Sequence, residues 1–475
     1  MRRHRSVALI AILTILVLGT TACAGSSGAP GTVIETETVP ANIDVTSLES
    51  AVDDALARVT AAQEQATTPN ERAQLAIDKG LLDYLKDVVL ETLKTTFAGR
   101  LHWVGHSRIK YWSTDASGKA VRLSGVMFVP YIIKWDPHAF PLLSLQHGTQ
   151  IYRPYAPSLF TYDMKNLFKD GRVLAQIEVV LGIFMAVPGY VVVMPDYPSL
   201  GVSTDPHPYT HLSIANSVED MLKASRAVLA SEWRDYATWD GRVFMSGYSE
   251  GGYATLVTAS QLQAKGSDLT PVAVAPLDGP HDLSTTMRTL MVADRQHPSA
   301  YFLPYMLYGE KFIYGDAVYG FSKTMRSPYD ATLPPLLDGT AKGEQVVSAM
   351  AFRPGATYPV PADILTADFL ALVQRPFTGD PVTDGPVVTM LAANDAYRGW
   401  TPSMALKLFH CATDDLVPRG NSDKAYAEFK GRNAPRLETI GDVEPLPIPD
   451  ATVHVQAALP AYMNGYMWID THYKK

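Results

Sequence analysis

Gly247-Tyr248-Ser249-Glu250-Gly251-Gly252 follows the short apolar run Val243-Phe244-Met245 and precedes Tyr253-Ala254-Thr255-Leu256-Val257, a stretch of helical character. A G-x-S-x-G pentad carries chemical meaning only in such a strand-turn-helix setting. The turn has to be sharp enough to force the serine backbone into a strained conformation, and side chains two positions to either side would collide with neighbouring elements, hence the glycines. The hydroxyl then stands at a helix N-terminus, whose dipole favours negative charge. The bland alternative is a glycine-rich turn without chemical use; the strand and helix on its flanks weigh against it.

Working outward, short apolar runs at 141–145, 190–194, 243–245, 272–275 and 406–409 alternate with helical stretches at 173–186, 212–229 and 251–264. Strands that are apolar throughout and separated by helices indicate a parallel sheet covered on both faces. Residues 101–130 alternate instead, around a turn at Asp115-Ala116-Ser117-Gly118, and are expected as an antiparallel hairpin on the sheet's edge. The fold class is therefore α/β, a doubly wound and mostly parallel sheet. Upstream, helices are expected near 48–62 and 71–96, the second carrying Leu75, Leu82, Leu85, Val89 and Leu93 as one apolar stripe. Between 284 and 400 the alternation breaks down and aromatics crowd in, among them Tyr301, Phe302 and Tyr305; an irregular stretch of that length is read as an inserted cap. The expected organisation is a signal segment at 1–23, a flexible linker at 24–45 rich in Gly, Ser, Thr and Pro, a helical segment at 46–100, a core at 101–283 and 401–475, and the cap at 284–400.

Hydrophobic residues make up 47% and charged residues 19%, a globular balance, and the net charge of -8 leaves no concentrated basic surface for nucleic acid. Arg2, Arg3 and Arg5 precede an uncharged run at 7–18, too short to span a bilayer, which reads as an export signal. Thr20-Thr21-Ala22-Cys23 resembles a bacterial lipobox, with Thr20 where Leu is usual; lipidation at Cys23 would tether the protein to a membrane, whereas ordinary cleavage after a small residue would release it. Cys411 is then the single cysteine of the mature body, so no disulfide within the chain is expected. Nothing in the sequence specifies an oligomeric state.

A serine hydroxyl needs a base oriented by a carboxylate. His410-Cys411-Ala412-Thr413-Asp414-Asp415-Leu416-Val417-Pro418 lies just past an apolar strand, and His454 opens the last helical run. Here the chain resembles the α/β-hydrolase family, in which H-G-x-x-D-x-x-V-P supplies the acid and the chain order is Ser, Asp, His. The resemblance implies Ser249 as nucleophile, Asp414 as acid and His454 as base. Cys411 replaces the usual Gly, so Asp415, or an Asp turn of purely structural use, stays open; His472 is a rival to His454.

The resemblance extends to the oxyanion donors, one the Glu250 amide and the second from Gln146-His147-Gly148-Thr149, where Gly148 or Thr149 would donate and His147 would position the loop. Asp196, in Met194-Pro195-Asp196-Tyr197, is expected to organise its loop. His207 and His211 are four apart but separated by Pro208, which disfavours a shared metal, and no metal or cofactor is expected. Taken together, Gly-Tyr-Ser-Glu-Gly-Gly-Tyr-Ala, the Pro-Asp-Tyr loop and Trp400-Thr401-Pro402 are similar to the secretory lipase and carboxylesterase branch, from about residue 102 to the C-terminus. That implies small-molecule or lipid ester substrates and a cap controlling access, with Tyr301, Phe302 and Tyr305 as candidate substrate contacts unless they form the cap's own core. A serine peptidase of the same fold and a non-catalytic envelope binding protein are the alternatives.

Overall fold

A computed structural model describes residues 28–160 and 173–473; the export signal, Cys23 and the terminal lysines lie outside them. Among the described residues ten strands form one sheet: β1 (Val33–Ile43), β2 (Trp103–Thr114), β3 (Ala120–Tyr131), β4 (His138–Gln146), β5 (Val191–Pro195), β6 (Ala237–Tyr248), β7 (Ala273–Leu277), β8 (Ala405–Leu406), β9 (Phe409–His410) and β10 (Gly441–Asp442). Their order is β1-β2-β3-β5-β4-β6-β7-β9-β10, with β8 beside β7. The pairs from β5 through β10 are parallel, and β1, β2 and β3 form an antiparallel edge. This is the α/β-hydrolase arrangement.

The sheet is apolar on both faces because its strands alternate between two cores. In β5, Val191 and Val193 face one core and Val192 and Met194 the other; in β6, Val243 and Met245 oppose Phe244 and Tyr248. The Ile214–Ser231 and Glu250–Ala264 helices cover the first face, and the Val173–Ala186 and Val453–Tyr473 helices the second. Side chains with period 2 buried on both sides are what a parallel sheet between helix layers requires.

The linker expected at 24–45 is corrected here. Residues Val33–Ile43 are β1, an edge strand in register with β2, where Glu35 stands opposite Lys110 and Glu37 opposite Arg108. Both opposed pairs close as ion pairs, at 2.8 and 2.9 Å. Thr and Val favour the pleated backbone, and charged cross-strand pairs hold an exposed edge; the Pro, Thr and Ala content that looked like a spacer hid that alternation. The two helices that follow start at capping boxes, Asp44 with Ser47 and Thr68 with Glu71, and their apolar faces pack into the second core through Leu48, Val52, Leu81 and Leu82.

After β7 the described chain leaves the sheet until β8. This stretch consists of short helices, the longest being Phe302–Tyr314 and Pro381–Ala393, joined by one antiparallel bridge between Met325 and Leu365. Tyr319 and Phe369 are buried against each other within it, Tyr305 is buried against His207 and Tyr209 of the core, and Tyr308 stacks on Phe321 with ring centroids 5.8 Å apart. Phe312 and Tyr314, by contrast, are exposed. Among the described residues no helix is long and apolar enough to cross a membrane.

Candidate active site

β6 ends at Tyr248 and the next helix starts at Glu250, so Ser249 alone makes the turn, with φ 59° and ψ -124°. A side chain in that left-handed region is strained, and the turn is held by the Ser249 amide donating to the Leu277 carbonyl at 2.9 Å. The glycines answer to crowding: a Cβ on Gly247 would lie 2.5 Å from the Gly251 carbonyl oxygen, and one on Gly251 would lie 2.1 Å from that of Gln146.

His454 opens the last helix and presents Nδ1 to Asp414 Oδ2 at 2.6 Å, both residues being buried. The other oxygen of Asp414 accepts the Leu416 and Val417 amides at 2.9 and 2.8 Å. Burial by itself would raise the Asp414 carboxyl, but the facing imidazole and these donors hold it below the usual carboxylate range. Burial likewise disfavours imidazolium at His454, yet the charge and hydrogen bond of Asp414 outweigh it and lift the ring above the ordinary histidine value. Asp415 does something else: its carboxylate accepts the Val453 and His454 amides at 3.2 and 3.1 Å and so caps the helix that carries the base. His472 sits about 27 Å further along that helix at 1.5 Å per residue, packed on Trp468. Tyr248, next to the serine, donates to the His454 carbonyl at 2.6 Å and joins the elbow to the base.

Of the oxyanion-loop candidates, Gly148 is already engaged. Its amide donates to both carboxylate oxygens of Glu178, at 2.9 and 3.2 Å, and Glu178 also accepts the Tyr462 hydroxyl. That leaves Thr149 and Glu250 as the amides not committed in this way. Glu178 was not foreseen; its signal is the lone charged residue in the helix VLAQIEVVLGIFMA. His147 bonds the Gly148 and Asp196 carbonyls and lies on Tyr197, ring centroids 4.1 Å apart. Asp196 is wholly buried and accepts from Ser124 and Ser158. Both residues tie loops together.

His207 and His211 point at different partners. His207 bonds Glu250, both 1% exposed, and its ring is stacked between Tyr197 and Tyr305 at 5.7 and 5.5 Å. His211 accepts the Ser213 amide and bonds Tyr314. A tighter grouping, Asp278, His410 and Asp414, brings ligand-type atoms within 4.8 Å of one another. His410, however, donates Nε2–H to the Val417 carbonyl at 2.8 Å and turns Nδ1 to Ser422, while burial depresses it to about 4, so both nitrogens are committed in the neutral ring. Its chemistry does not suit a cation.

Ser249 opens onto a cavity lined mainly by apolar side chains. The core contributes Leu283, Leu416 and Val417; the insertion contributes Met287, Leu290, Met291, Phe302, Leu303 and Met306. Of the three aromatics singled out from the sequence only Phe302 lines it. Tyr305 is turned to His207, and Tyr301 packs against Gly343. The lining residues 287, 290 and 291 recur at helical spacing, a stripe of aliphatic and Met side chains that a search for aromatics passes over.

The sequence pattern of the Secretory lipase family matches residues 168–286, the segment holding the elbow. No curated protein matches the chain. Among solved structures, the ligand-bound rice cell wall degrading esterase LipA from Xanthomonas oryzae is similar with a TM-score of 0.63 at 20% identity, over 93% of this chain and 97% of that one. Candida antarctica lipase A in its closed state is similar with a TM-score of 0.55 at 16% identity, over 87% of this chain and 78% of that one. At these identities the likeness establishes the α/β-hydrolase fold.

Proposed function

We propose that this chain is a serine hydrolase that cleaves carboxylic esters by acyl transfer. The observation that carries the reading is the 2.6 Å bond from His454 Nδ1 to Asp414, tied through Tyr248 to the strained Ser249 that follows it and opens on an apolar cavity. Because Asp414 takes Nδ1–H, the base's work falls to Nε2. Ser249 attacks the ester carbonyl as His454 takes its proton; Asp414 steadies the imidazolium, and the Glu250 and Thr149 amides hold the oxyanion. His454 then returns the proton to the leaving alcohol, and water repeats the cycle on the acyl-enzyme. The acyl chain lies in the cavity between Val417 and Met306, under the insertion acting as a cap.

The similarity to secretory lipases supports export and ester substrates, and the Arg-led N-terminus with Cys23 supports a lipid tether at the cell envelope. The peptidase alternative needs a free carboxylate to hold a peptide's terminus, and its two candidates, Glu250 and Asp196, are both bonded internally. Replacing Ser249 by Ala is expected to remove several orders of magnitude of p-nitrophenyl ester hydrolysis and all labelling by a fluorophosphonate probe. Hydrolysis retained at the wild-type rate by S249A would refute the reading.

A further inference from the structure

Asp278 stands one residue past β7, between the strand that carries Ser249 and the strand that leads to Asp414. Its backbone is held at φ 43°, in the left-handed region, with its amide on the Phe409 carbonyl at 2.9 Å. The side chain is wholly buried. Oδ1 accepts the Cys411 amide at 2.8 Å, whereas Oδ2 receives no donor from the described residues. An oxygen of this carboxyl lies within 4.8 Å of one of Asp414. Two buried carboxylates this close repel unless one carries a proton, and Oδ2, which takes no donor from the described residues, is the atom free to carry it. Asp414 is the one that must stay ionised, because its other contacts are the His454 ring and two amides, donors all.

We infer that Asp278 is a positioning residue that stays neutral and donates its Oδ2–H to Asp414, fixing that carboxylate behind His454 and limiting its pull on the imidazole proton. The direction of the carboxyl's titration agrees, since burial and the charge of Asp414 push Asp278 well above the usual carboxylate range. The other titratable groups around it are His410, with Nε2 3.7 Å from Oδ1, the Cys411 thiol, the Tyr248 phenol and His454 itself. His410 is neutral, and burial pushes both the thiol and the phenol up, so within this cluster Asp414 is the anion that a proton on Asp278 can serve. A neutral donor draws charge from Asp414 and so keeps the base less basic than an undivided carboxylate would make it.

The inference rests on the proposed hydrolase reading, and its test separates the two. Asp278→Leu removes the donor: the acid limb of kcat/KM is expected to move to higher pH by at least half a unit, with a lower kcat. Asp278→Asn supplies an N–H in the same place and is expected to bring the limb back to the wild-type position. An Asn variant whose limb drops below wild type would mean that Asp278 is ionised, and a Leu variant with an unmoved limb would reduce it to a staple for Cys411; either overturns the proposal. Independently of turnover, the infrared difference between wild type and D278N at pH 7 is expected to contain a protonated-carboxyl band, and its absence also overturns it. Should Ser249 fail to label with fluorophosphonate in the wild type, the hydrolase reading falls while the infrared result still decides the state of Asp278.

Discussion

The Glu178 carboxylate takes the backbone N–H of Gly148 on both of its oxygens, at 2.9 and 3.2 Å, from a helix on the opposite face of the sheet to the Glu250–Ala264 helix. The loop beside the serine is thus anchored by a buried acid, which also takes the Tyr462 hydroxyl of the last helix. Replacing Glu178 by Ala leaves a buried amide and a phenol without their acceptor, an expected loss of about 1–3 kcal/mol. Gln retains one carbonyl acceptor and is expected to recover most of it. Thermal melts of the two variants check this, and an Ala variant melting with the wild type would show that the loop is held by other means.

Asp414 and Asp415 are adjacent in sequence and opposite in consequence. Asp414→Asn removes the acceptor of His454 Nδ1 and is expected to lower kcat by about 10³–10⁴-fold. Asp415→Asn weakens a helix cap, expected at about 1 kcal/mol of stability, with kcat within roughly tenfold of wild type because the ring contact persists. Steady-state kinetics beside denaturation curves distinguish the two; the reverse ranking would exchange their roles.

Glu310, on the Phe302–Tyr314 helix, is 2% exposed, and burial pushes its carboxyl up to about 8. Its Oε2 has no partner among the described residues. Below pH 4.5 the group is neutral in both the folded and the unfolded chain and has no effect on stability. Between 4.5 and 8 the unfolded chain ionises first, so stability falls as pH rises and the penalty levels off above 8. Glu310→Gln abolishes that penalty and is expected to add about 3 kcal/mol at pH 7 and little at pH 4.5. Urea denaturation at the two pH values measures the difference, and a gain independent of pH would contradict it.

The cavity wall sets the expected ester preference. Met306→Trp fills space that the thioether leaves open, so kcat/KM for long acyl chains is expected to fall by about tenfold or more relative to short ones, since each methylene excluded from an apolar site is worth ~0.8 kcal/mol. Tyr305→Phe, at a ring turned to His207 and away from the cavity, is expected to leave the chain-length profile in place. A p-nitrophenyl ester series supplies the readout. A Met306→Trp profile parallel to wild type would remove the acyl chain from this cavity.

How much was legible in advance follows from how local each feature is. The apolar runs and helical stretches located β4 to β9 and three of the covering helices, because period and burial are written into consecutive residues. The edge strand β1 was not legible, since it is held by its pairing with β2, some seventy residues away in the chain. The aromatics of the insertion left two readings open for a similar reason: Tyr301, Phe302 and Tyr305 are neighbours in the chain, and of the three only Phe302 lines the cavity.

By itself, then, the amino-acid order determined the doubly wound sheet and the elbow at Ser249, for both depend on short-range patterns: glycines where no Cβ fits and apolar residues at the strand period. Tertiary structure alone decided that Asp414 meets His454 while Asp415 caps its helix, that Glu178 holds the Gly148 amide, and that Asp278 lies behind Asp414. These are meetings between distant segments. Whether a carboxyl there is ionised, neutral or a cap is set by which donors and charges surround it once water is gone, and no local pattern encodes that company.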